Sequence, residues 1–133
     1  MQKRFLTGVF HPIEIEEFEK RDEGAPRLQY LASRWALKEA LVKASGQTKL
    51  SYNEIYLKKP PPLVKVSTLP SGEEIKEKIK QKPQLAVVGE LNRTLLFEQL
   101  AIIEEGGMHA SLSHEDKYAV ATVVLEKYEE IEL

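Results

Sequence analysis

Arg34-Trp35-Ala36-Leu37-Lys38-Glu39-Ala40-Leu41-Val42-Lys43-Ala44-Ser45-Gly46 is the stretch on which the reading of the whole chain turns. At ~100° per residue it reads as a helix stopped by glycine. Leu28, Leu31, Trp35 and Val42 fall on one arc, and Leu37, Ala40, Leu41 and Ala44 on another. Two apolar faces call for burial. Between them run two polar stripes, one of Glu39 and Lys43 beside Ala32 and Ala36, the other of Arg34 and Lys38 with Ser45. Two readings of the first stripe are open. Glu four residues before Lys is the favourable order for an intrahelical pair, which stabilises a helix by ~0.2–0.5 kcal/mol. Alternatively, covered flanks place both charges in a cleft floored by alanines, where a partly desolvated carboxylate needs a cation or donor beside it.

The totals narrow the classes. A chain of 133 residues is one domain with a real core. With 42% apolar and 30% charged residues the composition is globular. A formal charge of −2 and a pI near 6.0 argue against bulk electrostatic binding of nucleic acid or anionic membrane. Cysteine is absent, which excludes disulfides and thiolate chemistry. No apolar run approaches the ~18–20 residues of a membrane span, and no signal-peptide pattern opens the chain.

Taken in order, residues 1–10 open basic with Lys3-Arg4 and make a short helical face of Phe5, Leu6, Val9 and Phe10. His11 reads as a turn residue, because Pro12 pushes the residue before it out of the helical region and can start a second helix over 13–20. Glu14, Glu16 and Glu17 lie in its first turns, where the helix dipole favours carboxylates. A polar loop over 21–26 leads to the central helix. A strand follows at 54–57, and Pro60-Pro61-Pro62 ends it in extended, solvated chain. Leu63 to Val66 reads as a short edge strand. Ser71-x-x-Glu74 fits a capping box and predicts a charged helix over 73–81. Residues 60–82 therefore read as an excursion from the core. Beyond it come a strand at 84–88, an amphipathic helix over 91–103, and a hairpin over 109–125 whose second run, 118–125, is apolar on both faces and predicts an interior strand. The acidic tail, 126–133, reads as frayed or solvated.

Three kinds of chemistry compete for the polar residues. Ser113-His114 as nucleophile and base fails because neighbours on a strand point to opposite faces, and no Gly-x-Ser-x-Gly elbow is present. His109, His114, Glu115 and Asp116 have a spacing that fits no common zinc pattern. A phosphate site is more coherent: Lys43, Ser111, Ser113 and His114 carry groups that bind phosphate oxygens, and Glu39 is the hard ligand Mg²⁺ takes together with substrate phosphates.

Arg34 to Gly46, together with His109-Ala-Ser-Leu-Ser-His114-Glu-Asp-Lys-Tyr118-Ala-Val-Ala121, resembles the paired motifs of the 4′-phosphopantetheinyl transferases of the holo-acyl-carrier-protein synthase type. Lys3-Arg4-Phe5, Leu50-Ser-Tyr-Asn-Glu-Ile55 and Lys82-Pro83 are similar to further segments of that family, so the resemblance spans the chain except about 60–81, which looks like an insertion. It implies an α+β domain in which an antiparallel sheet packs on a long central helix. It also implies Mg²⁺-dependent transfer of the phosphopantetheine arm of coenzyme A to a serine of an acyl carrier protein. By the same resemblance Glu39 is the metal ligand, and Lys43 neutralises charge on the leaving pyrophosphate. Arg34, Lys43, Gly46, Ser113 and His114 hold coenzyme A, and Lys3 and Arg4 meet the acidic carrier protein. The family's Gly-x-Asp-Ile strand, which carries the second metal ligand, would precede Lys3 and is absent from the sequence as it stands. Family members commonly form trimers with sites between subunits. The insertion suits a eukaryotic, organellar member, leaving cytoplasm or mitochondrial matrix as compartments. The rival reading is a catalytically weak relative that binds carrier protein or coenzyme A within a larger assembly.

Overall fold

The computed structural model describes residues 3–115 and 117–129. Asp116 of the zinc reading and the last four residues of the acidic tail lie outside them. Helix α1 (Lys3–Val9) and helix α2 (Pro12–Glu19) are joined by His11, which is more than a turn residue. Its Nδ1 accepts from the Ile13 amide at 3.1 Å while its own amide donates to Glu14 Oε1 at 3.0 Å, a reciprocal cap that satisfies two amides at the start of α2. Helix α3 (Ala25–Ser45) is 21 residues long and starts inside the expected loop, because Pro26 suits a first helical turn. Gly46 ends it at φ 71°, a left-handed conformation that glycine adopts without a Cβ penalty, with its amide donating to Val42 O at 2.8 Å.

The protein is a mixed α+β fold, but its strands do not form one sheet. Among the described residues they make three two-stranded antiparallel ladders. Strand β1 (Ile55–Lys58) pairs with β4 (Gln84–Val87), β2 (Leu63–Thr68) with β3 (Glu74–Ile79), and β5 (Met108–His114) with β6 (Ala119–Leu125). The first and third ladders share one core, in which Leu37 and Leu41 of α3 meet Ile55, Leu57, Leu85 and Val87. A second cluster of Leu6, Phe10, Phe18, Tyr30 and Leu31 fastens α1 and α2 to the first half of α3.

Four expectations need correction. Residues 73–81 are not a helix: Leu69 N donates to Glu73 O and Gly72 N to Leu69 O, so Pro70-Ser71-Gly72 folds the chain back onto the β-branched Val64 and Val66, and Glu74–Ile79 becomes β3. Cross-strand pairing outweighs a capping-box pattern that has no buried face to support it. The helix over 91–103 is shorter than expected. It runs as α4 (Glu90–Arg93) and widens into π-type turns over Thr94–Gln99. Ala101 then turns to φ 55°, and Ile102 is drawn into the core, where it bridges Lys127. The same contact corrects the tail, since Ile103 N donates to Glu126 O and Tyr128 N to Ala101 O. Finally, β6 is apolar on both faces yet buries only one of them. Ala121, Val123 and Leu125 pack on the α3 core while Val120 and Val124 stay exposed.

Candidate active site

The middle of α3 carries two polar arrangements, and neither is a Glu39–Lys43 pair. Lys38 is fully buried, and its Nζ donates to Glu14 Oε1 at 2.6 Å, to Tyr52 O at 2.7 Å and to Ile55 O. Three acceptors satisfy the three protons of an ammonium. Glu14 is less well served, because its Oε2 is buried with no hydrogen-bond partner. Burial pushes the Glu14 carboxyl up, against the pull of Lys38, and pushes the Lys38 ammonium down, against the pull of Glu14. One turn earlier, Arg34 is buried over the Tyr30 ring, 3.8 Å from Glu17, whose other contact is the Tyr30 hydroxyl, donating at 2.7 Å. The Arg34 and Lys38 stripe, read from sequence as a polar face, is the face that locks α3 to α2.

Glu39 lies half-buried on the other side. Its Oε1 accepts from Trp35 Nε1 at 2.5 Å, and the Trp35 indole meets Tyr52 edge-on at 5.6 Å. Burial and the nearby Glu39 charge both raise the Tyr52 phenol. Lys43 is exposed and forms no ion pair with Glu39. The flanking apolar arc is not covered as expected either: Leu28 is 60% and Trp35 37% exposed. Within one chain the Glu39 stripe is therefore an open shelf rather than a cleft.

The hairpin residues divide between two faces. His114 lines a cavity of about 350 Å³ with Arg34, Arg21, Lys59, Tyr30 and Ser33, so two residues 80 positions apart meet in a basic pocket at the hairpin tip. Ser113 sits at the neighbouring strand position, opposite Val120, and by alternation points away from that pocket, as do Ser111 and His109. His109 is held between Lys82 Nζ at 3.0 Å and Glu126 Oε1 at 2.5 Å. Arg34 and Glu39 lie ~140° apart around α3, and the lining of the basic pocket includes neither Glu39 nor Lys43. Of the residues read as one site, the chain brings together Arg34 and His114. Glu39 and Lys43 share a separate stripe, Ser113 the outer hairpin face, and Gly46 serves as the helix stop with its amide already engaged. Lys3 and Arg4 are exposed on the first turn of α1.

The sequence model of the 4'-phosphopantetheinyl transferase superfamily, holo-acyl-carrier-protein synthase group, matches residues 1–123. The chain belongs to this superfamily. It is 30% identical over 128 residues to a holo-[acyl-carrier-protein] synthase of Halothermothrix orenii, covering 94% of this chain and 81% of the relative. It is 32% identical over 123 residues to one of Wolbachia pipientis, covering 92% and 79%, and 28% identical over 116 residues to one of Mycolicibacterium smegmatis, covering 84% and 73%. Superfamily membership gives the motifs their context, while the geometry shows what sequence reading missed. Glu14 and Lys38 form the most deeply buried ion pair among the described residues, and Glu17, Tyr30 and Arg21 build the wall behind Arg34. A signal for both was present: Glu14 and Glu17 at i,i+3 on α2 match Arg34 and Lys38 at i,i+4 on α3, two complementary stripes that only tertiary packing brings face to face.

Proposed function

We propose that this protein transfers the 4′-phosphopantetheine group of coenzyme A to a serine hydroxyl of an acyl carrier protein. The serine oxygen forms a new bond to the phosphorus that carries the pantetheine arm. The bridging P–O bond of coenzyme A breaks, releasing adenosine 3′,5′-bisphosphate and the serine proton. The observation that carries this reading is the basic pocket at the hairpin tip, where Arg34, Arg21, Lys59 and His114 converge, in a chain of this superfamily. Four nitrogen-bearing side chains around a cavity of about 350 Å³ suit the phosphates of a nucleotide.

Mg²⁺ fits the other stripe. It keeps several waters and needs only one or two protein carboxylates beside substrate phosphates. Glu39 is a half-buried carboxylate with one oxygen anchored by the Trp35 indole, facing open space. When bound, the metal would screen pyrophosphate charge and position the reacting groups. Glu39 would hold it, Trp35 would fix the Glu39 rotamer, and Lys43, one turn on, would place its ammonium against the leaving phosphate. Lys3 and Arg4 occupy the helix end where the dipole disfavours cations, so helix stability does not explain them. They suit contact with an acidic carrier protein.

The separation of Glu39 from the Arg34 and His114 pocket suits an assembly in which one copy's hairpin completes its neighbour's site, and the family resemblance makes that assembly a trimer. The exposed outer face of β5 and β6, with Ser113, Val120 and Val124, is the surface such a neighbour would cover. Incubation with coenzyme A, Mg²⁺ and apo carrier protein, followed by intact mass, tests the activity. Modified carrier protein is the expected result. Binding of carrier protein without any modification would instead make the chain a non-catalytic component of an assembly. Sedimentation velocity tests the trimer, which predicts that Val120→Glu with Val124→Glu gives monomers and abolishes transfer.

A further inference from the structure

The β2 and β3 hairpin stands apart from everything described so far. All twelve strand residues are exposed. An isolated two-stranded hairpin is at best marginally stable in water, and this one is fastened at its base by Gln81 Nε2 donating to Pro61 O at 2.7 Å and by the Leu63 and Ile79 pair. Its two faces differ in charge. On one, Lys65 lies directly opposite Glu77, so the charges cancel, with the apolar Leu63–Ile79 pair on one side and the uncharged Ser67–Ile75 pair on the other. On the other, Val64 lies opposite Lys78 and Val66 opposite Lys76, with an acid only at the turn end, Glu74 opposite Thr68. The second face is a pair of valines framed by unpaired lysines. From 58 to 82 the chain carries seven lysines against three glutamates, although the whole protein is net negative.

Lysines on an edge strand blunt edge-to-edge aggregation, and that alone would distribute them over both faces. Here the register gathers the uncompensated ones beside exposed valines, the composition of a surface that meets an acidic partner. The place of the arm says which partner. Lys59, at its outgoing foot, lines the pocket of Arg34 and His114. Lys82, at its returning foot, touches His109 at the edge of the hairpin face that a neighbouring copy would cover, so the arm meets the pocket on its Lys59 side. A macromolecule that delivers a side chain to the candidate site arrives beside this arm.

We infer that the β2–β3 hairpin is a docking arm for the acidic carrier protein, contacting it through Val64, Val66, Lys76 and Lys78. This rests on the carrier-protein reading above and adds a recognition surface to it. Long-range attraction from such an arm raises the encounter rate and falls with salt.

The test uses the full chain, with Lys76→Glu plus Lys78→Glu as one variant, Val64→Ser plus Val66→Ser as a second, and Lys65→Gln on the opposite face as the control. Binding of fluorescent apo carrier protein is read by anisotropy at several salt concentrations, and transfer kinetics are read in parallel. The charge-reversed variant should raise both Kd and KM for carrier protein by about tenfold or more and flatten the salt dependence. KM for coenzyme A should stay unchanged. The serine variant should weaken binding without changing the salt slope, and Lys65→Gln should stay within about twofold of wild type. Equal carrier-protein affinity in wild type and the charge-reversed variant overturns the inference. So does binding of wild type, but not of that variant, to phosphatidylglycerol vesicles with carrier-protein affinity unaltered, which would make the arm a lipid contact. If wild type binds carrier protein in an arm-dependent way and transfers nothing, the arm stands and the transferase reading fails.

Discussion

Lys38 and Glu39 are neighbours on one helix and meet opposite fates. Lys38 is enclosed completely, with Glu14 and two backbone carbonyls on its three protons; Glu39 sits at the rim, held by one indole and facing open space. A step of ~100° carries the chain from the wall between α2 and α3 to the shelf beside Tyr52. The helix thus buries one polar stripe against α2 and leaves the other open. A buried ion pair is a poor source of stability compared with apolar packing, but removing one partner is expensive because it strands the other.

The largest effect is therefore expected at the buried pair. Lys38→Met should lower the unfolding free energy by about 3–5 kcal/mol, read from urea titration, because it leaves Glu14 buried without its hydrogen-bonded cation. Adding Glu14→Leu should recover part of that loss, because it removes the stranded carboxylate but also the acceptor that caps the His11 amide. If the double variant is no more stable than the single one, the two residues do not depend on each other and the contrast between the stripes collapses. Glu39→Gln should do the reverse. Transfer should drop about a hundredfold or more, equivalent to ~2.7 kcal/mol of barrier, while the urea midpoint stays within ~0.5 kcal/mol of wild type. A large stability loss at Glu39 would make it architectural too. Trp35→Phe keeps the ring and removes the donor, so transfer should fall between about two- and tenfold, the kinetic equivalent of ~0.5–1.5 kcal/mol.

The smallest expected effect is a pH dependence at the cap of α2. Burial and then the Lys38 charge hold the His11 imidazole below its usual 6.5, against Glu54, and its Nδ1 must stay unprotonated to accept from Ile13. The folded state therefore binds fewer protons than the unfolded chain just below pH 6.5, and stability falls as pH drops through that value toward the folded pKa. His11→Asn keeps an N-cap acceptor and removes the titration. Its melting temperature should lose less than wild type does between pH 7 and pH 5. Parallel curves for the two proteins would show that the cap is not what titrates.

Local chemistry was legible wherever a residue acts on its own neighbours. Pro12 starts a helix, Gly46 stops one, and alternation over 109–125 makes a hairpin; each effect is settled within a few residues. The 73–81 segment defied the same reading because Ile75 and Ile79 fit a helix face and a strand equally, and the deciding contact lies on β2. The site was legible as a set of residue types and motifs. Strand alternation already set Ser113 apart from His114, and helix phase set Glu39 apart from Arg34; what each of them faces was not legible, because a neighbouring element supplies it.

By itself, then, the sequence determined the superfamily, the long helix with its two polar stripes and the terminal hairpin, because those rest on spacing along a regular backbone. Only the tertiary structure decided which stripe is buried. That choice follows from α2 laying Glu14 and Glu17 against Arg34 and Lys38, since a charge can leave water only where another charge and enough hydrogen bonds are waiting for it.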